Sequence, residues 1–283
     1  MPEERPVPAR RFHFRHLGGL PLVAPLPLPR HALTCEALVL SDLHLHSGYE
    51  DLEALRALLV VARPRALVLA GDATNSHVLE RGHLTPERQR ALEDIGELLV
   101  DLRSRADILY VRGNHDPWGG SLPGLGALPS YAEIPLIWQG KRFLITHGHR
   151  VVRRSFLHHR LMGSLLALRR QMRLFSPHAT SARRLKLSPF ARSLERLFAQ
   201  RWLRRARREG YDGVLCGHIH IPGLRRVGHR IYANCGDWVD CNTFLALSQN
   251  TLWLGNVPPR GRGELLLRHK LPLEEPPNPR GGR

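Results

Sequence analysis

The sequence predicts an α/β fold, on three observations. Short apolar runs at residues 37–40, 66–70, 108–111, 143–145 and 213–216 have the length and composition of buried strands. Helical apolar stripes lie between the first of them, and strand–helix alternation argues an α/β core. Every one of the five runs also stops at residues that bind metals, and loops beyond the carboxyl ends of strands are where open α/β sheets place their sites.

In chain order, residues 1–34 are rich in Pro and Arg without a sustained period and read as an extended arm. The main domain is expected over 35–275. Leu52, Leu55, Leu58, Leu59 and Ala62 form one apolar stripe, which Arg63-Pro64 is expected to end. Thr85-Pro86 reads as an N-cap and first-turn proline, opening a helix with Leu92, Ile95, Leu98, Leu99 and Leu102 on one face. A helical insertion is expected over 150–210. Leu157, Leu161, Leu165, Leu168 and Met172 recur at helical spacing there, and Ser188-Pro189 opens a further helix faced by Phe190, Leu194, Leu197 and Phe198. Residues 223–227 and 230–233 flank Gly228-His229 as a hairpin, with more strands at 243–247 and 251–254. Asp237-Trp238 reads as a structural turn, and residues 276–283 as a frayed tail.

Charge is concentrated. The chain of 283 residues carries a formal +17, and residues 150–210 hold 17 Lys/Arg against only Glu195 and Glu209, so +15 sits in this insertion. Such an imbalance implies a face that meets something anionic: phospholipid, nucleic acid or a phosphorylated substrate. No run of eighteen apolar residues exists, so a membrane-spanning helix is not expected. The apolar stretch 20–28 is broken by prolines and makes a poor signal peptide. Four cysteines without framework spacing point to free thiols and a cytoplasmic setting.

The strand ends carry the chemistry. They read Asp42-Leu43-His44, Gly71-Asp72, Gly113-Asn114-His115-Asp116, His147-Gly148-His149 and Gly217-His218-Ile219-His220. Asp42 and His44, like His218 and His220, are two apart, and on an extended chain both side chains would point the same way. A lone Asp-x-His is usually a surface turn. Five such clusters in order, each after an expected strand, describe one crevice. The mixed N/O donors suit Mn²⁺, Fe or Zn²⁺ rather than Ca²⁺. Two cations need a bridging carboxylate, for which Asp72 is the candidate.

These five blocks resemble the calcineurin-like metallophosphoesterases, whose pattern is D-x-H, G-D, G-N-H-D/E, H and G-H-x-H. The resemblance implies a two-sheet β-sandwich flanked by helices, carrying the basic helical insertion as a cap, and a centre of two divalent ions, manganese foremost. It places one ion on Asp42, His44, Asp72 and His220, and the other on Asp72, Asn114, His147 and His218. His115 would stabilise the phosphoryl group or protonate the leaving oxygen, with Asp116 orienting it. His149 stands where close relatives often have Asp and would support the site or face substrate. Residues 212–220 and 232–240 are similar to the UDP-2,3-diacylglucosamine pyrophosphatases, which also carry a basic helical insertion. That likeness implies a nucleotide-linked lipid as substrate and attachment to the inner face of an anionic membrane. Arg153, Arg154 and Arg160 of the basic insertion are candidate phosphate or lipid contacts. After Gly71-Asp72 the chain departs from those enzymes with Ala73-Thr74-Asn75-Ser76. The competing expectation is a phosphodiesterase acting on nucleic acid or nucleotides through the basic cap.

Overall fold

Side chains alternate sides along a strand, and here that alternation separates three apolar layers. The computed structural model describes residues 26–27, 33–75, 85–116, 121–152, 186, 188–258 and 266–273. Its strands are β1 (Leu26–Pro27), β2 (Leu33–Leu40), β3 (Ala62–Ala70), β4 (Asp107–Val111), β5 (Ser121–Leu122), β6 (Gly126–Ala127), β7 (Ser130–Tyr131) and β8 (Glu133–Trp138). There follow β9 (Lys141–Thr146), β10 (Gly213–Cys216), β11 (Gly223–Val227), β12 (Arg230–Asn234), β13 (Thr243–Ser248), β14 (Thr251–Asn256) and β15 (Leu266–Pro272). The helices are α1 (Leu52–Val61), α2 (Pro86–Arg103), α3 (His149–Val152) and α4 (Pro189–Glu209).

One sheet runs β1-β15-β14-β13-β2-β3-β4-β7, with β2, β3 and β4 parallel. The second runs β11-β12-β10-β9-β8, with β9, β10 and β12 parallel. Ala37, Val39, Val68, Ala70 and Val111 of the first sheet pack on Phe143, Ile145, Leu215, Ile231 and Ala233 of the second. The alternate residues Leu38, Leu40, Leu67, Leu69 and Tyr110 face α1 and α2 instead. On the far side, Leu144, Val214, Cys216 and Tyr232 pack against α4. The result is a two-sheet sandwich with helices on both outer faces, as the motifs imply.

Helix starts follow the expected chemistry. Thr85 accepts from the Arg88 N–H, and Ser188 from the Ala191 N–H at 3.2 Å, each ahead of a first-turn proline. Gly228-His229 does close the β11–β12 hairpin, with Val227 opposite Arg230.

Three expectations need correction. Arg63-Pro64 does not separate helix from strand, because β3 begins at Ala62 and contains Pro64. Pro64 pairs with Cys35 of β2, while β4 joins β3 only from Ala66 onward, so the missing N–H falls where one side of the strand is open. Leu197 is 57% exposed rather than packed with Leu194 and Phe198. At about 100° per residue it falls some 60° outside the buried arc that Leu194, Phe198 and Trp202 define. The arm is partly woven in: Leu26–Pro27 pair with β15, and β2 starts at Leu33. The leucine stripe 157–172 and the tail 276–283 lie outside the described residues, as do Arg153, Arg154 and Arg160.

All four cysteines are buried free thiols. Burial, helped by Glu36, pushes Cys35 up to about 12, and burial raises Cys216 and Cys235 well above the ordinary thiol range. Since the thiolate is the reactive species, Ellman's reagent at pH 8 is expected to titrate none of them in the folded protein and all four after denaturation. A thiol reacting quickly in the native state would contradict this burial. No helix among the described residues is long and apolar enough to cross a membrane.

Candidate metal centre

The parallel strands β2, β3, β4, β9 and β10 deliver their five following loops to one edge of the sandwich. Neighbouring loops are stitched through the main chain. Asp42 N donates to Gly71 O at 3.0 Å, His44 N to Asp72 O at 2.9 Å, and Gly217 N to His147 O at 3.0 Å. This pairing bends the chain, so Asp42 and His44 do not stand on extended backbone as expected. Asp42, His44, Asp72, His218 and His220 all adopt left-handed φ, between 49° and 74°. That conformation costs roughly 1–2 kcal/mol per L-residue, and Asp and His are among the types that visit it most. The strain gathers at the residues whose side chains must converge.

Two groups form. Asp42, His44 and His220 place their ligand atoms within 4.8 Å of one another, and Asp72, His147 and His218 do the same. In the first group His220 Nε2 is 3.1 Å from Asp42 Oδ1 and 3.2 Å from His44 Nε2. In the second, His147 Nε2 is 3.2 Å from Asp72 Oδ2 and 3.1 Å from Asn114 Oδ1. All seven residues expected as metal ligands are therefore brought together. Asp42, His44, Asp72 and His147 lie buried at the floor, whereas His218 and His220 are half-buried and Asn114 is exposed.

The donor set fits divalent cations. Asp42 Oδ1 is buried and makes no hydrogen bond, although two imidazole nitrogens face it. Two imidazole nitrogens pointing at each other with a carboxylate between them suit a cation better than any hydrogen-bond network. Burial, then the neighbouring His220, lowers His44 to about 4; burial, then His147, lowers His218 to about 3. Both rings are thus neutral at physiological pH, the form that ligates. Burial opposes charge on Asp42 and Asp72, but nearby histidines hold both carboxyls below the usual range. Burial likewise opposes charge on His147, yet Asp72 and Asp42 raise it to about 9. The His147 Nδ1 faces Ala70 O at 3.1 Å, which turns Nε2 toward the group.

His115 packs edge-on against His44 with ring centroids 5.1 Å apart, and its backbone N–H donates to Asp72 Oδ1 at 2.8 Å. His149 opens α3 with its ring 5.5 Å from His147 and 6.2 Å from His218. Asp116 has a part the sequence did not suggest. Its Oδ2 accepts from Asp72 N at 2.8 Å and Gly113 N at 2.7 Å, and its Oδ1 from Thr74 N at 3.0 Å, so it clamps two loops together. Ser41 was also missed as a support: its hydroxyl donates to Asp42 Oδ2 at 2.6 Å. Asp237 does cap a turn, as read from the sequence, but its carboxylate also faces His220. A polar residue beside a ligand block is the only signal that could have marked Ser41, and no such signal exists for Asp237.

A family model described as calcineurin-like phosphoesterase matches residues 37–222, which spans every one of these loops. The chain belongs to the calcineurin-like phosphoesterases. Family and geometry together make it a metal-dependent phosphoester hydrolase with places for two divalent ions. Among solved structures, this calcineurin-like phosphoesterase is similar to the Vps29 of Chaetomium thermophilum, with a TM-score of 0.48 at 14% identity over 85% of this chain and 98% of that one. The phosphoesterase Yfce of E. coli gives 0.44 at 15% identity over 84% and 99%. No curated protein sequence matches the chain.

Proposed function

We propose that this phosphoesterase cleaves UDP-2,3-diacylglucosamine to a lipid monophosphate and UMP, at a centre of two divalent cations. One observation carries the dinuclear part. Asp72 Oδ2 lies 3.2 Å from His147 Nε2 and 4.0 Å from His44 Nε2, so a single carboxylate oxygen serves both groups. In this reading Asp42, His44, Asp72 and His220 hold one ion, and Asp72, Asn114, His147 and His218 the other. The donors suit manganese, with iron or zinc as the alternatives. Such ions, when bound, supply polarisation of a phosphoryl oxygen and activation of water. His115, half-buried beside the first group, would stabilise the phosphoryl charge or protonate the leaving oxygen.

The lipid part rests on the similarity of residues 212–220 and 232–240 to the diacylglucosamine pyrophosphatases, and on α4. That helix exposes Arg196, Arg204, Arg207 and Arg208, with the exposed Leu197 among them. A basic face with an apolar residue suits an anionic membrane surface at the inner leaflet. The same arginines favour a second reading, a phosphodiesterase tracking a nucleic-acid backbone.

The test is hydrolysis by metal-stripped protein after Mn²⁺ is restored, offered UDP-2,3-diacylglucosamine beside bis-p-nitrophenyl phosphate. Efficient Mn²⁺-dependent release of UMP is the expected result. Turnover of the generic diester alone would reject the lipid substrate and direct attention to nucleotides and nucleic acids.

A further inference from the structure

Asp237 follows β12 and stands behind His220, away from the crevice. Its side chain is fully buried. Oδ1 accepts three backbone N–H groups, from Val239 at 2.9 Å, Asp240 at 2.6 Å and Cys241 at 3.3 Å. Those three bonds fix the rotation of the carboxylate and so the position of its other oxygen. Oδ2 pairs with the Lys186 ammonium and lies 3.5 Å from His220 Nδ1. Lys186 also reaches Asp240 Oδ2 at 2.7 Å. It comes from the basic insertion, three residues ahead of α4, and is 51 positions away from Asp237 in sequence.

The two nitrogens of the His220 ring thus face different chemistry. Nε2 looks into the first metal group, onto Asp42 Oδ1 and His44 Nε2. Nδ1 is buried without a hydrogen bond and faces a carboxylate at 3.5 Å, a group that can only accept. A ring that ligates through one nitrogen needs its proton on the other, and an acceptor behind it enforces that tautomer. In the second group a main-chain carbonyl, Ala70 O, takes this part for His147. In the first group the acceptor is a side chain, and its place depends on a lysine from another segment.

We propose that Asp237 is a positioning residue for the first cation, keeping the proton of His220 on Nδ1, and that Lys186 holds Asp237 in place to do so. The inference rests on the reading of His220 as a metal ligand. Lys186 sits between the buried carboxylates of Asp237 and Asp240, and removing its charge would leave their mutual repulsion less balanced and draw Asp237 away from the ring.

The experiment is equilibrium dialysis of the full chain against Mn²⁺ alone, with bound metal counted by mass spectrometry and affinity set by chelator competition. Wild-type protein is expected to hold two ions and His220→Ala one. Asp237→Asn retains an oxygen for the turn but offers an amide donor toward Nδ1. It is expected to weaken one of the two ions about 10- to 100-fold, leaving the other unchanged. Nitrogen NMR of the His220 ring should show the Nδ1–H tautomer in the wild type and its loss in that variant. Lys186→Met is expected to weaken the same ion by a smaller factor, and Lys186→Arg to restore it. A folded Asp237→Asn protein that binds both ions like the wild type would overturn the proposal. Should that variant fail to fold, Lys186→Met leaves the turn intact and decides the matter: unchanged affinity there overturns it. If His220→Ala keeps both ions, the ligand reading itself is wrong, an outcome distinct from a silent Asp237.

Discussion

Asp72→Asn is expected to lower kcat/KM by about 10³-fold, equal to roughly 4 kcal/mol of barrier, and to reduce the metal content of the purified protein. Asp72 Oδ2 is the atom within reach of both His44 and His147, so removing its charge weakens both groups at once. Substituting Asn114 or His44 instead removes a donor from one group only. The fold should survive, because the Asp116 clamp grips the main chain of residue 72 rather than its side chain. Asparagine also keeps an oxygen for the His115 backbone N–H. Circular dichroism and metal analysis, run beside the hydrolysis assay, separate the loss of ions from the loss of structure. A variant that kept both ions and turned over within tenfold of wild type would remove Asp72 from its bridging part.

Gly113→Ala is expected to be among the most damaging methyl additions at the described glycines. A Cβ at this position would overlap the Asp72 carboxylate oxygen and its backbone nitrogen, with Asp72 Cγ only 2.8 Å away. The overlap includes main chain, so no side-chain rotation relieves it. The Gly113 N–H also donates to Asp116, so displacement of this loop would loosen the clamp as well. Overpacking of this kind costs roughly 1–3 kcal/mol, which in a chain of this size lowers Tm by several degrees. Metal affinity should fall with it, since the crowded atoms belong to the shared carboxylate. Gly228→Ala makes a useful contrast: the space around that hairpin glycine is open, and only its φ of 58° resists the change. Differential scanning calorimetry of the two variants with and without Mn²⁺ checks both points. Ion-dependent stabilisation should be lost in the first and kept in the second, and equal stabilisation in both would contradict the expected crowding.

The parts of this molecule written in short stretches of sequence were readable there. Buried strands announce themselves as apolar runs, and the residues that follow them arrive in the order the crevice needs. Thr85-Pro86 and Ser188-Pro189 mark helix starts because capping is decided within four residues. What escaped depends on distant partners. Pro64 is tolerated in β3 because β4 stops short of it, a fact about a neighbour more than forty positions on. Asp116 finds its hydrogen bonds at Asp72 and Thr74, and Asp237 finds Lys186 and His220, none of them suggested by spacing. The left-handed turns at Asp42 and His44 come from pairing with the loop after β3, so a rule for extended chain reached the right convergence by the wrong geometry.

Helix α4 belongs by charge to the basic insertion, but by packing it belongs to the sandwich. Trp202 and Phe198 are buried against the second sheet, and Phe198 Cζ would be 3.1 Å from a Cβ on Gly148, directly behind His147. Glu195 is paired with Arg225 of β11, and Arg205 with Glu133 of β8, which pins the helix across the sheet. Helix α4 is therefore not a detachable part of the insertion. A shortened enzyme cut at the borders of charge would lose a wall of its own interior, whereas one that keeps the chain from Lys186 onward retains that wall and its pins. Any grafting of this segment onto a relative would have to carry the supporting sheet surface along with the arginines.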